Sequence, residues 1–553
     1  MHNLQKEKLG RFFWTGLGLW NVYFILKFIM AQYGYITFEP LYNAVLLLFI
    51  LLPIASKKVR VIRTLIAVVL GAALLYSESW LPGPESITGN ANAIAGFSAT
   101  YVLQLVWDFI NFKMVALVLC VLFAYLLLCN WIRVSFFTIG YFLFMLIYPH
   151  YVQWQKAPEP AQETPAVAQA TMPAQGTAPV AQPASADGAV TSDTIDQWYK
   201  AFLQYESSRR AEIPQGIAAK DTPFDIILLN VCSLSNDDLE AVNLAQHPVF
   251  SRFNIRFDHF NSATAYSGPA TLRLLNAACG QSDHNTLYDR RRPECEIMNR
   301  FGQLGYSQHL FLDHAGQYDN YLQVLREKAG LTAVHETADK KFPVHYLAFD
   351  DEPISDDLAV MRHWKQVVAS QKDNSRTFSL FNFIALHDGN RLPRKSTWEP
   401  FKPRAQVFLD DLDKFIGELE KSGRKVMLVL VPEHGAAVRG DRVQPDRLRD
   451  IPSMRITQVP VMVKFFGIDG LPQEQIHVSG NTSYLALATL MGRVLEHNYF
   501  GAEGGAVPLA DLVRDLPQTN PVSENAQSIV LTYRDNDYVR RQNGQWVLYP
   551  KER

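Results

Sequence analysis

Large apolar residues are concentrated in the first 155 positions, and this asymmetry limits how the chain can fold. The remaining residues have the mixed composition of a water-soluble domain. Apolar runs that suggest membrane spans occur at Phe12–Met30, Leu41–Ser56, Val61–Tyr76, Met114–Trp131 and Val134–Tyr148. Some of these runs are shorter than the ~20 residues of a typical spanning helix. The pattern predicts a transmembrane region over residues 1–155 with about five spans.

Basic residues between the apolar runs predict the orientation. They cluster at Lys6–Arg11, at Lys57–Arg63 and at Arg133. Five spans place all three clusters in the cytoplasm, as the positive-inside rule requires, and everything after the fifth span then lies outside. The segment Thr100–Phe112 mixes aromatic and polar residues and is more typical of a helix lying in the membrane interface.

A linker and a soluble domain follow the transmembrane region. Residues 156–193 consist largely of Ala, Pro, Gln, Thr and Gly, a composition that cannot bury a core and predicts a flexible tether. Residues 194–553 are long enough for a well-packed catalytic domain. The net charge of −2 gives no indication of nucleic-acid binding.

Apolar strands and amphipathic helices alternate in the soluble domain. Predicted strands are Phe224–Val231, Thr377–Leu386, Lys425–Val431 and Pro460–Phe466, and predicted helices are Pro269–Asn276, Val407–Leu419 and Tyr484–Leu495. Continuous apolar runs are typical of buried parallel strands. We therefore predict an α/β sandwich with a mostly parallel sheet and with ligand sites at the carboxyl ends of its strands.

Three of the five cysteines lie in the soluble domain. Cys279 and Cys295 are close together in a loop, a spacing that favours a local disulfide in an oxidising compartment. Cys232 is left over, and a free thiol in an exported domain requires an explanation.

Zinc binding would explain the free thiol of Cys232. Cys232, His387 and the pair Glu433 and His434 all follow predicted strands, and thiolate, imidazole and carboxylate together form a zinc-type donor set. We predict Cys232, Glu433 and His434 as protein ligands to Zn²⁺, with the oxygen of Ser267 as the fourth. Ser267 begins a predicted helix, where backbone N–H groups and the helix dipole favour negative charge, and the metal would make its hydroxyl a nucleophile.

Each of these residues also has a simpler interpretation. A lone Cys after an apolar strand is usually a small buried hydrophobe, and a His at a strand end more often packs than binds metal. A Ser before Gly-Pro is most often a helix cap. The zinc hypothesis depends on the joint placement of these residues at one sheet edge.

Four motifs carry a resemblance to a known family. They are LLNVCSLSNDDL, YSGPATLRLLNAACGQ, NFIALHDGNR and VLVPEHGAAVRGD. Together they resemble the phosphoethanolamine transferases of the alkaline phosphatase/sulfatase superfamily, and most closely the cellulose phosphoethanolamine transferases of bacterial cellulose-secretion operons. Cys232 and Glu433 stand where the lipid A-modifying members carry a carboxylate and an Asp. The resemblance extends over the whole chain.

The resemblance implies a reaction in the bacterial inner membrane and periplasm. Ser267 would attack the phosphorus of phosphatidylethanolamine, release diacylglycerol, and pass the phosphoethanolamine group to a glucose 6-hydroxyl of nascent cellulose. His387 would act near the phosphate as general acid or base. Tyr266 and Arg449 would line the pocket, with Arg449 as a phosphate clamp. The cellulose synthase complex is an expected partner.

Two other functions remain open at this stage. One is transfer of phosphoethanolamine or phosphoglycerol to lipid A or another envelope glycan, or simple hydrolysis of a phosphate or sulfate ester. The sulfatase variant is disfavoured because Ser267 lacks the following x-Pro-x-Arg. The other is a non-catalytic scaffold of a polysaccharide-secretion complex, against which the complete set of site residues argues.

Overall fold

The structure is a computed structural model that describes residues 16–54, 56–80, 112–155, 190–218, 220–371, 376–501, 507–541 and 544–550. The chain divides into two compact units, one with the N-terminal helices and one with the residues from 190 onward. The predicted interfacial helix, apart from Phe112, and the linker up to residue 189 lie outside the described residues.

Helices form in all five apolar runs for which membrane spans were predicted. They are α1 (Trp20–Gln32), α2 (Pro40–Leu51), α3 (Lys57–Glu78), α4 (Phe112–Leu128) and α5 (Val134–Gln155). Among the described residues, α3 is the one helix both long and apolar enough to cross a membrane. The 12 residues of α2 rise only ~18 Å, short of a hydrocarbon core of about 30 Å. The prediction of five spans is therefore not confirmed, and the span expected over Leu41–Ser56 ends as a helix at Leu51.

One ion pair is buried among these N-terminal helices. Lys27 Nζ lies 2.5 Å from Glu78 Oε2, and both side chains are at most 1% exposed. Lys27 also donates a hydrogen bond of 2.6 Å to Asn43 Oδ1. Paired burial of this kind is how a charge is tolerated in an apolar environment. In contrast, many apolar side chains of α2 and α3 point outward and are exposed, as lipid-facing residues would be.

An eight-stranded sheet organises the second unit. Its strands are β1 (Asp225–Val231), β2 (Ile255–Phe260), β3 (Tyr306–Leu312), β4 (Val334–His335), β7 (Arg376–Phe383), β8 (Val426–Leu430), β9 (Val461–Phe466) and β10 (Ile476–Thr482), and a separate hairpin holds β5 (Val344–Leu347) and β6 (Pro353–Ser355). The order in the sheet is β10-β2-β9-β8-β1-β7-β3-β4. β9 runs antiparallel to both of its neighbours and the other pairs are parallel. The sheet is thus mixed but mostly parallel, as predicted, with β9 as its one antiparallel strand among the described residues.

Helices cover both faces of this sheet. The helices of this unit are α6 (Ser192–Ser208), α7 (Asn236–Ala241), α8 (Ser267–Leu275), α9 (Thr286–Asp289), α10 (Ile297–Gln303), α11 (Tyr321–Ala329), α12 (Asp357–Ala369), α13 (Phe401–Glu420), α14 (Met454–Thr457), α15 (Tyr484–Glu496) and α16 (Leu509–Val513), with 3₁₀ helices at Pro248–Arg252, Pro293–Cys295 and Tyr318–Asn320. Alternate side chains of β1 enter opposite cores: Ile226 and Leu228 pack with α8 and α15, and Ile227 and Leu229 pack with α12 and α13. This period-2 pattern confirms the α/β sandwich.

A small antiparallel sheet closes the carboxyl end and was not predicted. It consists of β11 (Val522–Glu524), β12 (Ile529–Tyr533), β13 (Asn536–Arg540) and β14 (Trp546–Leu548). The amphipathic helix α6 packs against it through Trp198 and Phe202. The residues from 190 onward therefore contribute to a folded core.

Candidate active site

Three adjacent strands deliver polar residues to one edge of the sheet. β1 lies between β7 and β8 and is parallel to both, so their carboxyl ends coincide. Cys232 directly follows β1, and its backbone N–H donates to the Phe383 carbonyl at 2.8 Å. Glu433 follows β8, and its N–H donates to the Val231 carbonyl at 2.9 Å. Backbone pairing that continues past the strand ends therefore fixes both side chains.

Ser267 reaches the same edge from a helix. It is the first residue of α8, and its N-cap Tyr266 makes no side-chain capping hydrogen bond. The hydroxyl therefore lies at the positive end of the helix dipole. Ser267 is partly exposed, whereas Cys232, Glu433 and His434 are buried. A substrate can approach the serine while the other three remain shielded.

The four polar side chains form one cluster. Ser267 Oγ lies 3.3 Å from Cys232 Sγ and 3.3 Å from His434 Nε2. Cys232 Sγ and His434 Nε2 are 3.8 Å apart, and His434 Nε2 is 3.9 Å from Glu433 Oε2. The donor atoms of the cysteine, glutamate and histidine all lie within 4.8 Å of one another.

These separations fit a tetrahedral zinc ion. Zinc bonds of about 2.0–2.3 Å to N, O and S imply ligand separations of roughly 3.3–3.8 Å. Glu433 Oε2 is buried, has no hydrogen-bond partner among the described residues, and lies 3.9 Å from His434 Nε2 in the cluster. His434 Nδ1 donates to the Gly435 carbonyl at 2.9 Å, which leaves Nε2 as the free lone pair, as in metal-bound histidines. The residues present thus fit Zn²⁺.

Without a cation the cluster is electrostatically unfavourable. Burial raises the pKa of the Cys232 thiol to about 12, with Glu433 adding to the effect. Burial also raises the pKa of Glu433 above its ordinary value. The pKa of His434 falls well below its ordinary value because of burial and the nearby Arg449 charge. A dication would reverse these costs, because it stabilises the thiolate, carboxylate and neutral imidazole.

A directed hydrogen-bond chain orients Glu433. Asn382 Nδ2 donates to Glu433 Oε1 at 2.5 Å, and the Thr271 hydroxyl donates to the same oxygen at 3.1 Å. His314 Nε2 donates to Asn382 Oδ1 at 3.1 Å, and Asn382 also donates to Asn230 Oδ1 at 2.9 Å. The hydrogen bonds from Asn382 and Thr271 both engage Oε1, and Oε2 lies on the side of His434 Nε2.

A buried aspartate holds the loop that carries the glutamate and histidine. Asp238 accepts hydrogen bonds from the backbone N–H groups of Ala436 and Val438 at 2.6 and 3.0 Å. Position 435 must be glycine for this contact, because a Cβ there would lie 2.6 Å from Ser235 Oγ. Asp238 is thus a positioning residue for His434.

The remaining predicted residues lie around the cluster. Arg449 Nη1 donates to Ser233 Oγ at 3.2 Å, and the Tyr266 hydroxyl donates to Asp450 at 2.5 Å. His387 donates from Nδ1 to the Asp388 carbonyl at 2.7 Å and makes no hydrogen bond to Ser267 or the three candidate ligands. Burial and the Arg449 charge lower the pKa of His387 to about 3. It is therefore neutral near pH 7, with its Nε2 lone pair available.

The cysteines divide as the sequence pattern indicates. Cys279 and Cys295 lie in a disulfide, and Cys232 is free and buried. The bridge therefore leaves the Cys232 thiol available to a metal.

Family models match both parts of the chain. The cellulose biosynthesis protein BcsG N-terminal domain matches residues 20–147, and the BcsG C-terminal domain matches residues 179–546. The chain belongs to the BcsG family. Cellulose biosynthesis protein BcsG of Escherichia coli strain K12 is 42% identical over 549 residues, covering 98% of this chain and 97% of the relative. The protein of the same name from Salmonella typhimurium strain LT2 is 40% identical over 551 residues, with the same coverage.

Solved structures resemble this BcsG-family chain only distantly. An alkaline phosphatase superfamily protein from Vibrio parahaemolyticus is 14% identical, covers 65% of this chain and 91% of its own, and gives a TM-score of 0.45. The zinc-bound periplasmic domain of EptC from Escherichia coli is 12% identical, covers 57% of this chain and 94% of its own, and gives a TM-score of 0.37. Likenesses at this level do not support an inference about function.

The site of this BcsG-family member contains residues that were not predicted from the sequence. Asn382, Thr271, Asn230, His314 and Asp238 all orient the cluster and were not singled out. Two of them left a signal in the sequence: Asn230 and Asn382 are polar residues inside otherwise apolar strands. Their pairing in register explains why both are retained in the core.

Proposed function

We propose that this chain is a zinc-dependent phosphoethanolamine transferase that uses a phospho-Ser267 intermediate to modify nascent cellulose. The observation that carries the proposal is the position of Ser267 Oγ, 3.3 Å from both Cys232 Sγ and His434 Nε2. A serine hydroxyl at a helix start, beside a buried metal-type donor set, suits nucleophilic attack on phosphorus. The name shared by the relatives supports cellulose as the polymer concerned.

Cys232, Glu433 and His434 would hold the metal, and Ser267 would complete its coordination. A bound zinc ion would supply Lewis acidity, lowering the pKa of a coordinated hydroxyl and neutralising a phosphoryl oxygen. The protein's own contribution is preorganisation. Because Asn382 and Thr271 hold Glu433 and the Gly435 carbonyl holds His434, the donor atoms converge without rearrangement.

The first half-reaction exchanges one phosphate ester for another. Ser267 Oγ attacks the phosphorus of phosphatidylethanolamine, the Oγ–P bond forms, and the bond from phosphorus to the diacylglycerol oxygen breaks. The serine proton ends on diacylglycerol. His387 would carry that proton, as base and then as acid, because the negative charge of a bound phosphate would raise its pKa from about 3 toward the working pH. Arg449, anchored by Ser233, would pair with a phosphate oxygen, and Tyr266 would line the pocket.

The second half-reaction returns the enzyme to its starting state. A glucose 6-hydroxyl of cellulose attacks the phosphorus of phospho-Ser267, and the Oγ–P bond breaks. The hydroxyl proton returns to Ser267 through His387, so the phosphoethanolamine group is the net transfer. The proposal places the domain from residue 190 in the periplasm, with the chain as a multi-pass inner-membrane protein beside a cellulose synthase complex.

Analysis of the polymer tests this function. Cellulose would be isolated from cells that carry either the wild-type chain or Ser267→Ala and examined by solid-state NMR for phosphoethanolamine. We expect the group on the wild-type polymer and its loss in the variant. Ser251→Ala serves as the matched control, because Ser251 is exposed and its hydroxyl only caps a local turn.

The intermediate can be sought directly. Acid-quenched protein incubated with phosphatidylethanolamine but no acceptor should carry phosphoethanolamine on the peptide containing Ser267. Modified cellulose from Ser267→Ala cells would exclude the covalent mechanism. Unmodified cellulose in wild-type cells, together with a labelled Ser267 peptide, would instead indicate another acceptor, such as lipid A. Failure of both measurements would leave the scaffold function.

A further inference from the structure

A cationic cleft lies on the soluble unit away from the candidate ligands. It is a recess that is open to solvent. Four cations line it, namely Arg273, Arg290, Arg292 and Lys328, and no carboxylate does. Neither Ser267 nor any candidate metal ligand belongs to its lining. The cleft is therefore a separate feature of the domain.

Two buried side chains of the cleft carry donor atoms that have no hydrogen-bond partner among the described residues. Arg273 is 5% exposed, and its Nη1 donates to the Ser282 carbonyl at 2.7 Å. Its Nε and Nη2 atoms find no acceptor among the described residues. Tyr484, also 5% exposed, has a hydroxyl without a partner. Buried donors left unsatisfied cost free energy, so the arrangement favours a ligand that supplies acceptors.

The nearest buried carboxylate does not satisfy Arg273. Arg273 affects the charge state of Glu524 electrostatically, but no ion pair joins the two residues. Both Glu524 oxygens are engaged: Oε1 accepts from the Tyr199 hydroxyl at 2.9 Å, and Oε2 accepts from the His284 backbone N–H at 2.6 Å. The Nε and Nη2 atoms of Arg273 therefore have no carboxylate partner among the described residues.

We infer that this cleft binds a phosphate-type oxyanion. A guanidinium presents paired N–H donors that match the oxygens of phosphate. The Tyr484 hydroxyl adds an O–H donor. Arg290 and Lys328 lie at the more exposed part of the lining and add positive potential that attracts a multiply charged ligand. The anion is either free phosphate or the phosphodiester of a lipid headgroup. This inference stands independently of the proposed transferase reaction.

Phosphate titration of the chelator-treated, detergent-solubilised full chain tests the site. The chelator treatment is included so that phosphate does not bind through a metal at the Cys232 cluster. Binding heats would be measured by calorimetry for phosphate and for chloride at equal ionic strength, and the difference between them excludes non-specific attraction to positive charge. We expect one phosphate per chain. Arg273→Gln should weaken this binding by roughly 10- to 100-fold, the value of lost charge-assisted hydrogen bonds.

Matched variants separate the cleft from other effects. Lys328→Gln and Arg290→Gln are more exposed, so they report on the site even if Arg273→Gln fails to fold, and each should weaken binding measurably. Arg326→Gln, on the same helix as Lys328 but outside the lining, should leave the binding unchanged. Binding that is equal in every variant, or no phosphate bound at all, would overturn the inference.

Competition identifies the source of the anion. Glycerophosphoethanolamine displaces phosphate if the cleft accepts a lipid headgroup, because it carries the same phosphodiester without acyl chains. Phosphate bound without such competition identifies a site for free phosphate. Either result supports the oxyanion site and distinguishes its two sources.

Discussion

Asn382 donates a hydrogen bond of 2.5 Å to Oε1 of Glu433, while Oε2 of the same carboxylate has no hydrogen-bond partner in the part of the chain that the structure describes. The asparagine itself is fixed by His314 and Asn230. One carboxylate oxygen is therefore held by the protein and the other is reserved for a ligand. This division sets the orientation of Glu433 before any metal binds.

Asn382→Ala should therefore weaken zinc binding without unfolding the domain. Loss of an orienting partner typically reduces metal affinity by about 10–100-fold. The variant also leaves His314 Nε2 without its acceptor, at a cost of about 1–3 kcal/mol. Zinc affinity would be measured by competition with a chromophoric chelator. Asn299→Ala, a half-buried asparagine in a separate network, is the control and should retain wild-type affinity.

The metal ligands and the nucleophile should respond differently to substitution. Cys232→Ala and His434→Ala should lose both zinc and transfer, because each removes a protein ligand. Ser267→Ala should retain zinc, since three protein ligands remain, but should lose transfer by a factor on the order of 10⁴ or more. Elemental analysis of the isolated domain from residue 190 measures the metal. Stoichiometric zinc that persists in both ligand variants would place the metal elsewhere.

Continuous apolar runs made the central strands predictable. β1, β7, β8 and β9 all lie within predicted segments or extend them by one residue. Strand β10, at one edge of the sheet, and its neighbour β2 were missed because polar, partly exposed residues interrupt their apolar pattern, as in IRFDHF and IHVSGNT. Strand direction was not predictable either, because an apolar run does not encode whether β9 runs parallel or antiparallel.

The candidate site, like the fold, was predictable only in part. Cys232 and Glu433 follow strands whose ends coincide, so their proximity follows from the fold class, and the structure brings them together with Ser267. Their roles stay predictions. The residues that orient Glu433 could not be predicted from the sequence. The contact of Asn382 with Glu433 depends on the strand register that pairs Asn230 with Asn382, and this register is set by tertiary packing.

Stability should depend on pH through His314. Burial lowers its pKa to about 4, below the ordinary ~6.5. Between pH about 6.5 and about 4 the unfolded chain therefore binds the proton that the folded chain excludes, and the free energy of unfolding falls as the pH falls, by up to ~1.4 kcal/mol per pH unit. His314→Gln should flatten the profile by this amount, measured by denaturant unfolding with a chelator present.

A second histidine provides the control for this pH dependence. His497 lies at an exposed position after α15, and the His497→Gln variant should keep the wild-type dependence of the free energy of unfolding on pH. An unchanged slope in His314→Gln would mean that this histidine does not remain neutral in the folded state.

The Cys279–Cys295 disulfide should stabilise the soluble domain. The two cysteines are 16 positions apart, and closing a loop of about this length corresponds to ~3 kcal/mol in the chain-entropy model. The double variant Cys279→Ser/Cys295→Ser should lower the free energy of unfolding by about that amount. Mass spectrometry of non-reduced peptides checks the pairing, and a bridge that includes Cys232 would remove this residue as a zinc ligand.

Reporter fusions should place residue 205 in the periplasm. The basic cluster Lys57–Arg63 at the start of α3 favours the cytoplasm, so the opposite end of this helix lies outside. A fusion after Tyr205 should then be active with a periplasmic reporter and inactive with a cytoplasmic one. This expectation holds for one span, through α3 alone, and equally for five, because both numbers are odd.

Fusions at two further positions distinguish one span from five. With five spans, residue Tyr35 lies in the periplasm and Trp131 in the cytoplasm. With α3 as the only span, both assignments reverse, and the neighbouring Arg133 then lies outside, against the positive-inside rule. We therefore expect a periplasmic reporter to be active after Tyr35 and inactive after Trp131. The reverse pattern would reduce the membrane region to one span, and a cytoplasmic Tyr205 would contradict the proposed periplasmic reaction itself.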